Sequence, residues 1–165
     1  MTDNIRIIDI VPGTSVDGPG LRTSIYLAGC RHQCPGCHNP QSWDFNAGKE
    51  MSTDDIITEI DRHGFNVTLT GGDPIYRWKE LLPLVERLHG KGYTIWCYTG
   101  FLYEEICEKM PGIDRFLQFV EVLVDGPFIE VLRDTTLLFK GSSNQRLIDI
   151  KRSSPGKVSL WRSHF

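Results

Sequence analysis

No apolar stretch in the chain approaches the roughly 20 residues that a membrane-spanning helix needs. The opening Met1-Thr2-Asp3-Asn4-Ile5-Arg6 also lacks the charged start and long apolar run of a secretory signal. A membrane role is not expected, and a cytoplasmic location is. Charge of one sign is equally scarce, because 18 Lys and Arg against 21 Asp and Glu leave a formal net charge of -3, and neither sign is clustered. Nucleic-acid binders gather Lys and Arg among aromatics, so no nucleic-acid partner is expected. Cysteine is sparse and odd in number, at five, which in a reducing compartment argues against a disulfide framework and for metal or redox use. With 165 residues and no linker, low-complexity tract or internal repeat, the chain reads as one domain over 1–165 built on a single core.

What is present is a cysteine-rich loop, Gly29-Cys30-Arg31-His32-Gln33-Cys34-Pro35-Gly36-Cys37-His38-Asn39. Three thiols can converge there on one inorganic centre without a nearby fourth. A cubane of four irons and four sulfides takes four thiolates, so three would leave one iron open to a small molecule. A structural zinc site is the alternative, with His32 or His38 completing a Cys3His set. Zinc modules usually draw paired ligands from two separated knuckles, whereas here all three thiols share one loop, which favours the cluster. Cys97 and Cys107 stand apart and read as small buried hydrophobes.

Short runs rich in β-branched or aromatic residues predict strands over Ile5 to Val11, Leu21 to Ala28, Asn66 to Thr70, Thr94 to Tyr98 and Val120 to Val124. Shorter ones are predicted around Leu137 to Phe139 and Leu147 to Ile150. Ser52 and Asp55 resemble a capping box ahead of Ile56, Ile57 and Ile60, which share a helical face. Leu81, Leu84, Val85 and Leu88 predict a second helix ending near Gly90 or Gly92, with Pro83 expected in its first turn. A third helix is predicted from Leu102 to Lys109, stopped by Pro111 and Gly112. Alternating strands and helices imply parallel pairing with right-handed crossovers. The expected fold is α/β, a partial, open (βα) barrel, since three or four units cannot close an eight-stranded one. Its strand-end loops should meet on one side, where ligand sites form. They are the cysteine loop, Gly71-Gly72-Asp73-Pro74, Thr99-Gly100-Phe101 and Asp125-Gly126-Pro127.

The Cys-x3-Cys-x2-Cys spacing of Cys30, Cys34 and Cys37 resembles the cluster motif of the radical S-adenosylmethionine enzymes. The match extends through Val16-Asp17-Gly18-Pro19-Gly20-Leu21-Arg22, Leu69-Thr70-Gly71-Gly72-Asp73-Pro74, Tyr98-Thr99-Gly100-Phe101, Leu123-Val124-Asp125-Gly126 and Lys140-Gly141-Ser142-Ser143-Asn144-Gln145-Arg146. Within that superfamily it is most similar to the branch that activates anaerobic (class III) ribonucleoside-triphosphate reductases.

The resemblance implies one [4Fe-4S] cluster on Cys30, Cys34 and Cys37, with S-adenosyl-L-methionine chelated at the open iron. Reduction would cleave the sulfonium bond to methionine and a 5′-deoxyadenosyl radical, which would install a glycyl radical on the reductase large subunit. Reduced flavodoxin or a similar donor would supply the electron. Gly71 and Gly72 would approach the methionine amino group through backbone, and Gly36, Cys37 and His38 would touch the nucleoside. Asp73, Thr99 and Asp125 would also bind the cofactor. Gly36 stands where many radical enzymes carry an aromatic residue, so backbone contact is expected there. The rivals are an activase for a pyruvate formate-lyase type of enzyme and a non-catalytic metal or electron-transfer module. Asp17 reads equally as a turn former or as a pocket residue. Asn144, Gln145 and Arg146 read as loop caps or partner contacts. Trp43, Trp78, Trp96 and Trp161 read as packing or partner-contact residues.

Overall fold

A computed structural model describes residues 4–162. The elements run β1 (Asn4–Thr14), β2 (Arg22–Leu27), β3 (Lys49–Ser52), α1 (Thr53–His63), β4 (Asn66–Gly71), α2 (Trp78–Gly90), β5 (Ile95–Tyr98), α3 (Tyr103–Lys109), α4 (Asp114–Leu117), β6 (Val122–Asp125) and β7 (Arg146–Asp149). One seven-stranded sheet has the order β3-β1-β2-β4-β5-β6-β7. Its centre, β2-β4-β5-β6, is parallel, as the alternation of strands and helices predicts. Both margins are antiparallel: β1 pairs with β2 and β3, and β7 with β6. The sheet is open, because its end strands β3 and β7 are six places apart in the order and do not pair.

Period-two alternation divides the sheet into two faces. Ile25, Leu27, Val67, Leu69, Ile95, Cys97 and Leu123 are fully buried against the helices with Ile56, Ile60, Leu81, Leu84, Val85, Leu88, Ile106 and Phe116. The opposite face carries Trp96, Val122 and Val124, packed by Tyr98, Phe139, Leu147 and Trp161. It also carries Arg22, only 1% exposed. The Arg22 guanidinium lies over the Trp96 ring at 5.7 Å and donates to Thr68 Oγ1 at 2.9 Å, Val67 O at 2.8 Å and Thr94 O at 3.1 Å. These acceptors make a buried cation tolerable, although burial lowers its pKa to about 10. Trp96 and Trp78 are thus core residues, and Trp161 packs edge-on to Trp96 at 5.0 Å.

The sequence-based expectation needs three corrections. The second helix begins at Trp78, so Pro83 lies inside it rather than in its first turn. The cause lies upstream: Asp73 caps a 3-10 turn, Pro74–Arg77, that runs directly into α2. No strand forms over Leu137 to Phe139, where Phe139 adopts a left-handed φ of 62° and turns its ring onto Trp96 at 5.2 Å. Finally, β3 was not foreseen; its Lys49-Glu50-Met51-Ser52 offers one apolar residue and serves as a polar edge.

Candidate functional site

The loop after β2 carries the three cysteines. Its base is clipped by Gly29 N donating to Ser42 O at 2.7 Å and Cys30 N to Trp43 O at 3.2 Å. Arg77, just before α2, holds the same base from the other side, donating to Ala28 O at 2.6 Å and Phe45 O at 2.7 Å. Within the loop Gln33 and Gly36 take left-handed φ values of 49° and 75°. Cys37 N donates to Cys34 O at 3.1 Å, and Cys37 Sγ accepts from Asn39 N at 3.4 Å. Gly36 abuts Glu130, and His38 packs on Phe128 at 5.2 Å. Cys30, Cys34 and Cys37 are free thiols of intermediate exposure. Burial pushes the Cys30 thiol up to about 11; a cation at the sulfur acts in the opposite sense, since coordination deprotonates a thiol outright. Three unpaired thiols on one pinned loop are a donor set that fits an iron-sulfur cluster.

Gly71 and Gly72 are required by the closeness of neighbouring backbone. Gly71 has φ 98°, and a Cβ there would lie 2.3 Å from Leu27 N; one at Gly72 would lie 2.5 Å from Gly29 O. No side chain fits either gap. The resulting contact is main chain to main chain, with Gly72 N donating to Leu27 O at 2.7 Å and Asp73 N to Gly29 O at 2.8 Å. The loop after β4 is thus sewn to the start of the cysteine loop.

Asp73 is 1% exposed. Its Oδ1 accepts from Ile75 N at 3.0 Å. Its Oδ2 accepts from His32 Nε2 at 2.7 Å, Thr99 Oγ1 at 2.9 Å and Gly100 N at 2.9 Å. Asp125, fully buried, is equally committed. Its Oδ1 accepts from Arg146 Nε at 3.0 Å, and its Oδ2 from Tyr103 N at 2.9 Å and from Arg146 Nη2. Arg146 also donates to both Glu104 oxygens, at 3.0 and 2.8 Å. The two carboxylates raise the guanidinium pKa, and Arg146 holds Glu104 below the usual glutamate range. The carboxylates of Asp73 and Asp125 therefore tie loops together.

A cavity of about 540 Å³ opens between the cysteine loop and the sheet face opposite the helices. Cys37, His38 and Asn39 line it from above, Tyr26, Thr70 and Tyr98 from the strands, and Asp17 from the loop before β2. Its size suits a nucleoside-sized ligand. Asp17 accepts from Ser24 Oγ at 2.8 Å, and the half-buried Tyr98 hydroxyl donates to Phe139 O at 2.6 Å. Gln145 borders the cavity and accepts from Gly141 N, while Asn144 Nδ2 donates to Pro127 O, so both secure the segment after β6. A larger hollow, about 1170 Å³, lies away from the cysteines beside Thr94, Glu121 and Trp161. The site thus brings together the cysteine loop and the loops after β4 and β5. Sequence reasoning missed Arg77, which no motif marks, and treated His32 only as a possible zinc ligand; its position between two cysteines was the available signal.

Residues 16–148 match the 4Fe-4S single cluster domain family. A protein of Salmonella typhimurium named anaerobic ribonucleoside-triphosphate reductase-activating protein is 38% identical over 153 residues, covering 86% of this chain and 96% of that one. The Escherichia coli K12 protein of the same name is 37% identical over 147 residues, 81% of this chain and 92% of its own. A phage T4 protein, also so named, is 34% identical over 147 residues, 84% and 90% of the two chains.

Proposed function

The chain belongs to the 4Fe-4S single cluster domain family and to the anaerobic ribonucleoside-triphosphate reductase-activating proteins within reach of it, and from that premise we propose that it installs the glycyl radical of such a reductase. The observation that carries the reading is three free thiols on one pinned loop, beside a nucleoside-sized cavity at the ends of parallel strands. Cys30, Cys34 and Cys37 would hold the [4Fe-4S] cluster, and the lack of a fourth thiolate would leave room there for S-adenosyl-L-methionine. The chemistry such a cluster would supply when bound is one-electron reductive cleavage of that molecule to methionine and a 5′-deoxyadenosyl radical, which would take a hydrogen atom from a glycine α-carbon of the reductase and leave as 5′-deoxyadenosine.

The chain's own residues position and shield this chemistry. Cys37 and His38 border the cavity, with Gly36 beside them in the same turn. Gly71 and Gly72 bring the backbone after β4 against the base of the cysteine loop. Tyr26, Thr70 and Tyr98 wall the cavity from the sheet. The open sheet is read as the partial (βα) barrel of the radical S-adenosylmethionine type, with its unclosed side admitting a polypeptide segment. Reduced flavodoxin or a similar one-electron protein in the cytoplasm is the donor. No helix of the described residues is long and apolar enough to cross a membrane.

The test combines anaerobically reconstituted protein, S-adenosylmethionine, a reductant and the reductase. A glycyl doublet by electron paramagnetic resonance on the reductase, matched by 5′-deoxyadenosine, is expected. A doublet only on a pyruvate formate-lyase type of partner would overturn the assignment.

A further inference from the structure

We infer that His32 is a positioning residue: through Asp73 it locks the cysteine loop in register with the ends of β4 and β5. The inference rests on the assignment of the cluster to that loop. The two oxygens of Asp73 are used differently. Oδ1 closes its own turn by accepting from Ile75 N, which is ordinary capping. Oδ2 is given entirely to neighbouring loops, accepting from His32 of the cysteine loop and from Thr99 and Gly100 after β5. A capping role accounts for the first oxygen and leaves the second unexplained.

The His32 ring is gripped by the same two loops. Phe101, following β5, meets it edge-on at 4.5 Å, and Tyr76, following β4, packs tilted against it at 5.5 Å. Gly100 lies so close that a Cβ there would sit 2.6 Å from the ring. The His32 side chain is 17% exposed and that of Asp73 1%, so water competes little for the bond. His32 lies two residues after Cys30 and two before Cys34. Fixing its ring therefore fixes the chain on which both thiols are carried. This gives Asp73 and Thr99 to holding the cluster loop rather than to the ligand.

Reconstituted wild type, His32→Ala, His32→Gln and Thr99→Val would be compared for iron content, cluster loss to a chelator, the resonance spectrum of the reduced cluster, and thermal midpoint of the metal-free protein. Groups that orient metal ligands are typically worth about 10–100-fold in metal affinity. His32→Ala is expected to lose its cluster at least tenfold faster and to show an altered spectrum at a nearly unchanged thermal midpoint. His32→Gln, whose amide can still donate to Asp73, should recover most of the retention, and Thr99→Val should shift it in the Ala direction. Wild-type retention and spectrum in His32→Ala would overturn the inference. So would a loss that follows the thermal midpoint and is not rescued by Gln. Failure of wild type to take up iron-sulfur would instead overturn the cluster assignment itself.

Discussion

At the scale of single residues, the five cysteines divide by surroundings. Cys30, Cys34 and Cys37 are half-buried on a loop, Cys97 is fully buried on the helix-facing side of β5, where burial pushes its thiol well above the ordinary value, and Cys107 on α3 is half-buried rather than buried as its sequence suggested. Cys34→Ala should therefore abolish both cluster absorbance and S-adenosylmethionine cleavage. Cys97→Ala should leave both intact and cost about 1 kcal/mol of stability, a typical small core deletion, read by denaturant titration. Gly72→Ala makes the opposite kind of demand. Its Cβ would lie 2.5 Å from Gly29 O, and backbone cannot yield as a flexible side chain can, so the cysteine loop should shift. The measurement is iron content after reconstitution, expected to fall. The cysteines and strand-end glycines were legible in the sequence because their chemistry is fixed by residue type and spacing. The partners of Asp73 and Asp125 were not. Their carboxylates are spent on His32, Thr99 and Arg146, which lie 41, 26 and 21 residues away, and local pattern carries no record of such contacts.

At the scale of elements, α1 shows local signals sufficing. Ser52 accepts from Asp55 N at 3.1 Å, Asp54 and Asp55 occupy the first turn, and Arg62 and His63 the last, as the helix dipole favours. Ser52→Ala should destabilise the protein by about 1 kcal/mol, seen as a lower denaturation midpoint with the cluster unaffected, because α1 packs on the far side of the sheet from the cavity. The central strands were legible for a related reason: β5 and β6 are short apolar runs buried on both faces, and β2 and β4 alternate β-branched or apolar residues with polar ones between turn residues. Legibility failed where tertiary contact overrides propensity. Leu137 to Phe139 has strand-like composition, yet the ring of Phe139 is drawn onto Trp96 and Trp161 and its carbonyl onto Tyr98. The polar edge β3 is held by pairing with β1, from Asn4 opposite Ser52 to Ile7 opposite Lys49, and by Met51 packing against the core. Pro83 marked a helix correctly and its start wrongly, since the preceding 3-10 turn supplies the entry instead.

At the scale of the molecule, the outer side of β7 is flanked by a short bridge, Asp149 N donating to Ser159 O at 2.9 Å and Trp161 N to Leu147 O at 2.7 Å, and an open sheet must also secure its last strand at that strand's start. Arg146, the first residue of β7, does this by joining Asp125 at the end of β6 to Glu104 in the first turn of α3. Removing the arginine would leave a fully buried carboxylate with only the Tyr103 amide as partner. Arg146→Ala is thus expected to cost about 3–5 kcal/mol, a large part of the roughly 5–15 kcal/mol that holds a domain together. Lysine should rescue poorly, because one ammonium cannot serve two carboxylates in forked geometry. The same junction gives an acid dependence. Arg146 lowers the Glu104 pKa in the folded protein, so its stabilisation is fully present above the ordinary glutamate value of about 4.3 and is lost as pH falls through the lower folded value. Wild type and Glu104→Gln compared by urea titration should differ at pH 7 and converge as the pH is lowered below 4. A difference that persists unchanged into acid would show that the ion pair does not secure this edge of the sheet.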